Sequence, residues 1–217
     1  MTVLSVFVGQ PRPGKYEAAV ELNQRAMKLI ERHGAKNIRS LVGAIGGASY
    51  GSIINSSEFD DPEAWGAFYD KVMTDDEIHT LFAEVRGENT PFTTQTLQVV
   101  NEIPLGRKRG ANGKIVVAYI SAPVPGRYEA AIALTGQGAD LLERHGARNC
   151  RVFAQVANGL QPDVLVSTAE YDTMKAYGKA LGAFTADTAG LALMQVTMSS
   201  DSPIRLLSSD VYAEIPG

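Results

Sequence analysis

The chain has 217 residues, 20 of them basic and 24 acidic, for a formal net charge of -4. Apolar residues make up 45% and charged residues 20%, the makeup of an ordinary globular chain, and the acid surplus argues against nucleic acid as the main partner. The one cysteine, Cys150, rules out an internal disulfide framework and a cysteine-based metal cluster. No stretch approaches the roughly 18 apolar residues of a membrane-spanning helix. The opening eight residues lack the basic lead-in and cleavage pattern of a signal peptide. They read as a strand, and a cytoplasmic protein is expected.

Residues 3–8 are a short apolar run closed by Gly9 and two prolines, the pattern of a buried strand. From Gly14 to His33 the spacing turns helical, with Ala18, Leu22, Ala26, Leu29 and Ile30 on one stripe and Glu17, Glu21, Gln24, Lys28 and Glu31 on the other. Gly34 then supplies the left-handed residue that ends a helix. Strands follow over 37–45 and 52–59 around a turn at Gly46-Gly47. Asp61 and Pro62 open a helix carrying Ala64, Trp65, Phe68 and Val72. Thr74-Asp75-Asp76-Glu77 reads as a capping box that starts a further short helix. Residues 95–103 alternate as a last strand.

The second half repeats the first at an offset of 112. Pro125-Gly126-Arg127-Tyr128-Glu129 answers Pro13-Gly14-Lys15-Tyr16-Glu17, and Glu143-Arg144-His145-Gly146 answers Glu31-Arg32-His33-Gly34. In all, 28 of 105 aligned pairs are identical without an insertion. Residues 1–105 and 114–217 are therefore expected to be two repeats, joined by a Gly-rich basic run, 106–113, that reads as a solvated linker. Asn158-Gly159 marks the hairpin turn of the second half. Each half reads β-α-β-β-α-β, the ferredoxin-like unit, which covers one face of its sheet with helices and leaves the other bare. The expected fold is α+β: two tandem ferredoxin-like repeats whose antiparallel sheets pack into one α+β barrel.

The Pro-Gly-x-Tyr-Glu opening of the first helix resembles the dimeric α+β-barrel superfamily. So do the helix-ending Gly34 and Gly146, the Glu58-Phe59-Asp60 and Glu170-Tyr171-Asp172 strand ends, and Ala64-Trp65-Gly66. The chain is closest in character to NIPSNAP-like and antibiotic-biosynthesis-monooxygenase-like proteins. The resemblance implies a small-molecule-binding barrel, with a cofactor-independent oxygenase, isomerase or cyclase acting on an apolar or aromatic molecule as the expected kind of activity. It leaves two alternatives open: a non-catalytic interaction protein whose barrel is filled by its own side chains, and a haem-binding protein.

Oxygenase-like members place Asn, Trp and His or Arg around an aromatic substrate, which makes Asn55, Trp65 and His79 the candidate catalytic set here, with Tyr50 at the hairpin as a candidate ligand contact. Trp65 also lies on the helix stripe with Phe68, where packing accounts for it. His79 is Leu191 in the second half, so any such site is one-sided. Arg39 and Arg151 share a position on the second strands and, by alternation, face inward if Leu41 and Phe153 do. Their guanidiniums could bind a carboxylate or phenolate; alternatively each pairs with Glu58 or Glu102, and Glu170 or Glu214, on a neighbouring strand. His33 and His145 sit in last helical turns, which a favourable interaction with the helix end explains. Cys150 lies within a strand and is expected to be buried. No metal-ligand spacing appears, and no cofactor is expected.

Ser5, Gly43 and Asn55 hint at room in the first half, whereas Val117, Phe153 and Gln155 suggest filling in the second. A ligand pocket is therefore expected within 1–105. Glu21 and Gln24 become Ala133 and Gly136, and residues 190–194 carry no charge. Bare helical surface of this kind marks an interface, so a homodimer through the second-half helices is expected, with Gly136, Gly138 and Ala139 allowing close approach.

Overall fold

The computed structural model describes residues 1–157 and 164–216, and of Gln155 and Ala157 only the backbone. Asn158 and Gly159, read above as a hairpin turn, lie outside the described residues. The first half runs β1 (Val3–Pro11), α1 (Tyr16–Arg32), β2 (Lys36–Ile45), β3 (Ile53–Phe59), α2 (Pro62–Val72), α3 (Asp76–Arg86) and β4 (Phe92–Ile103). The second runs β5 (Ile115–Pro123), α4 (Tyr128–Arg144), β6 (Arg148–Ala157), β7 (Leu165–Tyr171), α5 (Met174–Ala186), α6 (Thr188–Met198) and β8 (Ile204–Glu214). Each element of the second half begins 112 residues after its counterpart.

All eight strands join one closed antiparallel barrel in the order β1-β3-β2-β8-β5-β7-β6-β4. The two sheets thus do more than face each other. Their edges are hydrogen-bonded, with Leu41 opposite Glu214 where β2 meets β8 and Glu102 opposite Phe153 where β4 meets β6. Closure leaves no edge strand among the described residues.

Alternation divides every strand between two cores. The outer row of the first half, including Val3, Ile53, Phe59 and Val99, packs on Ala19, Leu22 and Leu29 of α1 and on Phe68, Val72, Ile78 and Leu81 of α2 and α3. In the second half Ile115, Val117, Ala169 and Val211 pack with Ala139 of α4 and Ala180 of α5. The inner row supplies Leu41, Ile54 and Val116, joined by Val6, Val8 and Tyr212. Three of the positions used above to judge interior space are therefore corrected. Ser5, between Val3 and Phe7, and Val117 belong to the outer row. Gly43 faces inward, but a Cβ there would lie 1.8 Å from the Ser49 carbonyl oxygen, so the β2–β3 loop already fills its space.

Helix ends are built alike in both halves. Gly34 and Gly146 take φ of 102° and 98°, conformations that a Cβ would strain, and so stop α1 and α4. The preceding His33 and His145 reach across to the next helix pair, with Nε2 2.7 Å from Asp75 Oδ2 and 2.9 Å from Asp187 Oδ2. The cap of α3 is Asp75 and not the Thr74 of the expected box. Its extended backbone lets its carboxylate accept from the Glu77 and Ile78 amides, while the Thr74 hydroxyl donates back to the Lys71 carbonyl at 3.0 Å. Asp187 caps α6 in the same way, accepting from Ala189. Each aspartate therefore both starts one helix and fastens the end of another.

The Ile78 amide, and after it His33, hold the Asp75 carboxyl below the usual carboxylate range, and the Ala189 amide and His145 do so for Asp187. A carboxyl depressed in the folded state adds stability that is present above its unfolded value and is lost as pH falls through the folded one. Thermal melts of Asp75→Asn/Asp187→Asn should therefore lose part of the acid-side fall in Tm seen in the wild type. Asparagine still caps a helix, so an unchanged pH profile would show that the carboxylate charges contribute nothing.

Candidate functional site

Two recesses occupy opposite ends of the barrel. At the end where β2 and β6 begin and β3, β4, β7 and β8 finish, a cleft of about 380 Å³ is lined by residues that include Glu102, Arg107, Arg109, Asn149 and Arg151. At the other end, the mouth, a chamber of about 410 Å³ is lined by Val8, Gln10, Gly47, Ala48, Tyr50, Ser52, Thr94 and Thr96.

The cleft end is closed by ion pairs that cross from one half to the other. Arg39 of β2 donates to Glu170 of β7 at 2.9 Å and to the Gly113 carbonyl at 2.5 Å. Its counterpart Arg151 of β6 donates to Glu58 of β3 at 2.6 Å and holds both oxygens of Glu102 at 2.9 and 2.7 Å. The two arginine side chains are 8% and 10% exposed, and the Arg151 guanidinium lies 4.8 Å from the Phe153 ring centre. Asn37 and Asn149, both at positive φ, aim their amides at Glu58 and Glu170. Burial alone would raise the Glu58 carboxyl, but hydrogen bonds and charge from Arg109 and Arg151 outweigh it and hold Glu58 below its ordinary range.

The joining segment belongs to this network. Arg109 pairs with Glu58, Gly113 donates its amide to Glu170 at 2.6 Å, and Arg107 pairs with Glu143 at 2.5 Å and with Asp140. The run 106–113, expected to be a solvated linker, is thus fastened to both halves, with its two arginines engaged by glutamates and an aspartate. Arg39 and Arg151 do face inward, but each guanidinium is paired with a carboxylate of the opposite half, Arg39 with Glu170 and Arg151 with Glu58 and Glu102.

The candidate catalytic residues are not brought together. Asn55 lies on the outer row of β3 and donates to Asn23 of α1, so it does not face the barrel interior. Trp65 packs on the helix–sheet core beside Tyr69, with ring centres 5.2 Å apart. His79 is exposed on α3, its Nε2 2.9 Å from the Met73 carbonyl oxygen. None of these contacts joins one of the three to another. Tyr50, 68% exposed, stands at the rim of the mouth chamber. Cys150 is buried, and burial pushes its thiol up to about 12, a value that leaves it protonated at neutral pH.

One inward group has no precedent in the candidates above. Asp210 of β8 is 4% exposed and lies on the inner row, opposite Ala118 of β5. It accepts from the Ser49 hydroxyl at 2.7 Å and the Ser208 hydroxyl at 2.9 Å. The neighbouring Tyr212 phenol is pushed up to about 12, chiefly by burial and then by the Asp210 charge. The offset of 112 places Gln98 at the matching position in the first half, an asymmetry visible in the sequence.

A haem held by histidine does not fit these positions. His33 and His145 are engaged with aspartates at helix ends outside the barrel, and His79 points to a carbonyl on the exposed side of α3. Among the described residues no group of three or more His, Cys, Asp or Glu side chains is placed to hold a metal ion.

No protein-family model matches the sequence, and no curated protein matches it. Solved structures do match in fold. An anthrone oxidase-like protein superposes with a TM-score of 0.63 at 16% identity, over 99% of this chain and 92% of that one. A chlorite dismutase from Candidatus Nitrospira defluvii superposes with a TM-score of 0.55 at 10% identity, over 99% and 91%. The chain has the dimeric α+β-barrel fold, with both halves carried by one polypeptide.

Replacing Arg39 with methionine should leave the buried Glu170 charge without its cation and lower unfolding free energy by about 3–5 kcal/mol, read by urea denaturation. A loss below about 1 kcal/mol would mean that the crossed pairs do not hold the barrel end together.

Proposed function

We propose that this chain binds a small apolar or aromatic molecule in the mouth chamber, with Tyr50 as its aromatic contact. The observation that carries this reading is the chamber itself. Val8 belongs both to its lining and to the apolar inner cluster, so a ligand seated there touches the barrel core, while Gln10, Ser52, Thr94 and Thr96 offer hydrogen bonds around it. Its lining comes from the first half. The cleft is the weaker site because its arginines are already paired. A cofactor-independent transformation of the bound molecule is the activity we assign to this pocket; one neighbour in fold carries the name anthrone oxidase-like.

The test uses 2-naphthol followed by NMR titration of the full chain. Wild type should show saturable shifts at Tyr50, Thr94 and Thr96, and Thr96→Trp, which fills the chamber, should abolish them. Tyr50→Ala should weaken binding by roughly 2- to 10-fold, the range expected for one aromatic contact. Trp65→Phe, a change in the helix–sheet core, should leave affinity unaltered. Saturation that survives Thr96→Trp, or no saturation in wild type, overturns the assignment.

We also propose that the second-half helices meet a second copy of the chain. Helix α6 carries no charged residue, and Leu181, Leu191, Val196 and Met198 of α5 and α6 are 47%, 46%, 46% and 81% exposed. At the matching places α3 begins with Asp76 and Glu77. The small residues expected to serve this contact serve the fold: a Cβ on Gly138 would meet Leu193 of the same chain at 3.5 Å, and Ala139 of α4 is buried in the second-half core. Sedimentation should give twice the chain mass at micromolar concentration and the single mass for Leu191→Glu/Met198→Glu. A monomeric wild type removes this proposal.

A further inference from the structure

We infer that the molecule taken up at the mouth carries a protonated amine, and that Asp210 receives that amine in exchange for the Ser49 hydroxyl. This rests on the mouth chamber being the binding site. The starting point is an imbalance of charge. The chain has three buried carboxylates, among the described residues, and it treats them differently: Glu58 and Glu170 each meet an arginine, whereas Asp210 meets only two serine hydroxyls. Residues 158–163 contain no basic side chain that could supply the missing cation. A buried charge without a counter-charge costs stability, and the barrel fold does not need this one, since the first half has Gln98 there.

The geometry joins Asp210 to the chamber through one loop. Gly47, Ala48, Tyr50 and Ser52 line the chamber, while Ser49 between them turns the other way and holds Asp210. The loop is bounded by Gly46 at φ 143° and Gly51 at φ 73°, conformations open to glycine alone at low cost. A Cβ on Gly46 would lie 2.1 Å from Asp210 Oδ1, so the loop backbone rests directly on the carboxylate. Asp210 does not itself line the chamber; a shift of this loop that lifts Gly46 and Ser49 off the carboxylate would open it toward the space that Val8 and Thr96 border. Ala118, facing Asp210 from β5, adds no bulk on the inner wall. A carboxylate with about four acceptor positions, two of them filled by neutral hydroxyls, has capacity for an ammonium group, and such charge-assisted hydrogen bonds are roughly twice as strong as neutral ones. A ligand carboxylate would be repelled from this wall, which reverses the sign of the ligand charge that Arg39 and Arg151 alone had pointed to.

Three probes of one shape decide the matter: benzylamine, benzyl alcohol and benzoate, titrated into the full chain by calorimetry at neutral pH. Benzylamine should bind at least about tenfold more tightly than benzyl alcohol, and benzoate should not bind. Asp210→Asn should bring the amine and the alcohol to within about threefold of each other while raising Tm by a few degrees, because it removes an uncompensated buried charge. Ser49→Ala, which removes the competing hydroxyl, should tighten benzylamine. Equal binding of amine and alcohol to wild type overturns the inference while leaving the chamber in place. So does an Asp210→Asn protein that keeps the preference, or one that melts lower and so marks a structural carboxylate. If none of the three probes binds, the chamber reading falls first and this inference with it.

Discussion

The exchange of arginines between halves is the interaction on which this barrel depends. Arg39 belongs to one half and finds its carboxylate, Glu170, in the other; Arg151 does the reverse with Glu58 and Glu102. Either arginine, confined to its own half, would be a buried cation facing an open barrel end. Together they neutralise one another's glutamates where β2 and β6 begin, beside the points at which the two sheets become one. Glu58 shows which effect wins: burial works against its ionised form, and the arginines prevail. The joining segment adds Arg109 and the Gly113 amide to the same glutamates, so the connection between halves is also part of the plug.

With one end sealed by charge, the opposite end is the one that holds the proposed binding chamber. There the two halves stop resembling one another. The first half lines the mouth with Gln10, Tyr50, Ser52, Thr94 and Thr96, while the second holds Asp210 of β8 buried beneath the β2–β3 loop. The helix layer divides similarly, with acidic residues opening α3 and an uncharged α6 in the corresponding place. A repeated scaffold therefore frames two different surfaces, and the differences lie at the mouth and on the outer helices, where packing does not dictate the residue.

Much of this was legible in the sequence. The constant offset placed every element, and Gly34 and Gly146 marked helix ends that the structure keeps. The inward direction of Arg39 and Arg151 followed from alternation alone. The choice of partner did not. Alternation says which face a side chain occupies but not which strand lies across a seam formed by residues a hundred positions apart, so the crossing of the ion pairs was invisible. Thr74 lost the cap to Asp75 because the backbone at Asp75 is the one that turns into the helix. Asn55 and Trp65 looked like site residues because of their chemistry, yet each lies on the row or stripe that meets the helix layer. Asp210 was missed for the opposite reason: a lone acid in a strand looks ordinary until its burial and lack of a cation are seen.

The positions 39, 58, 151 and 170 obey the same offset as the elements, so the arginine of either half is matched to the glutamate of a copy of itself as well as to that of its sibling. Severed at the join, the first half would retain an open β2 edge, an open β4 edge, one cation and one anion in mutually complementary places. Such a fragment has every feature needed to close a ring with its own twin, and the covalent tie serves to make the pairing unequal: it guarantees that each mouth receives one Gln98 side and one Asp210 side, a combination that identical fragments could never assemble.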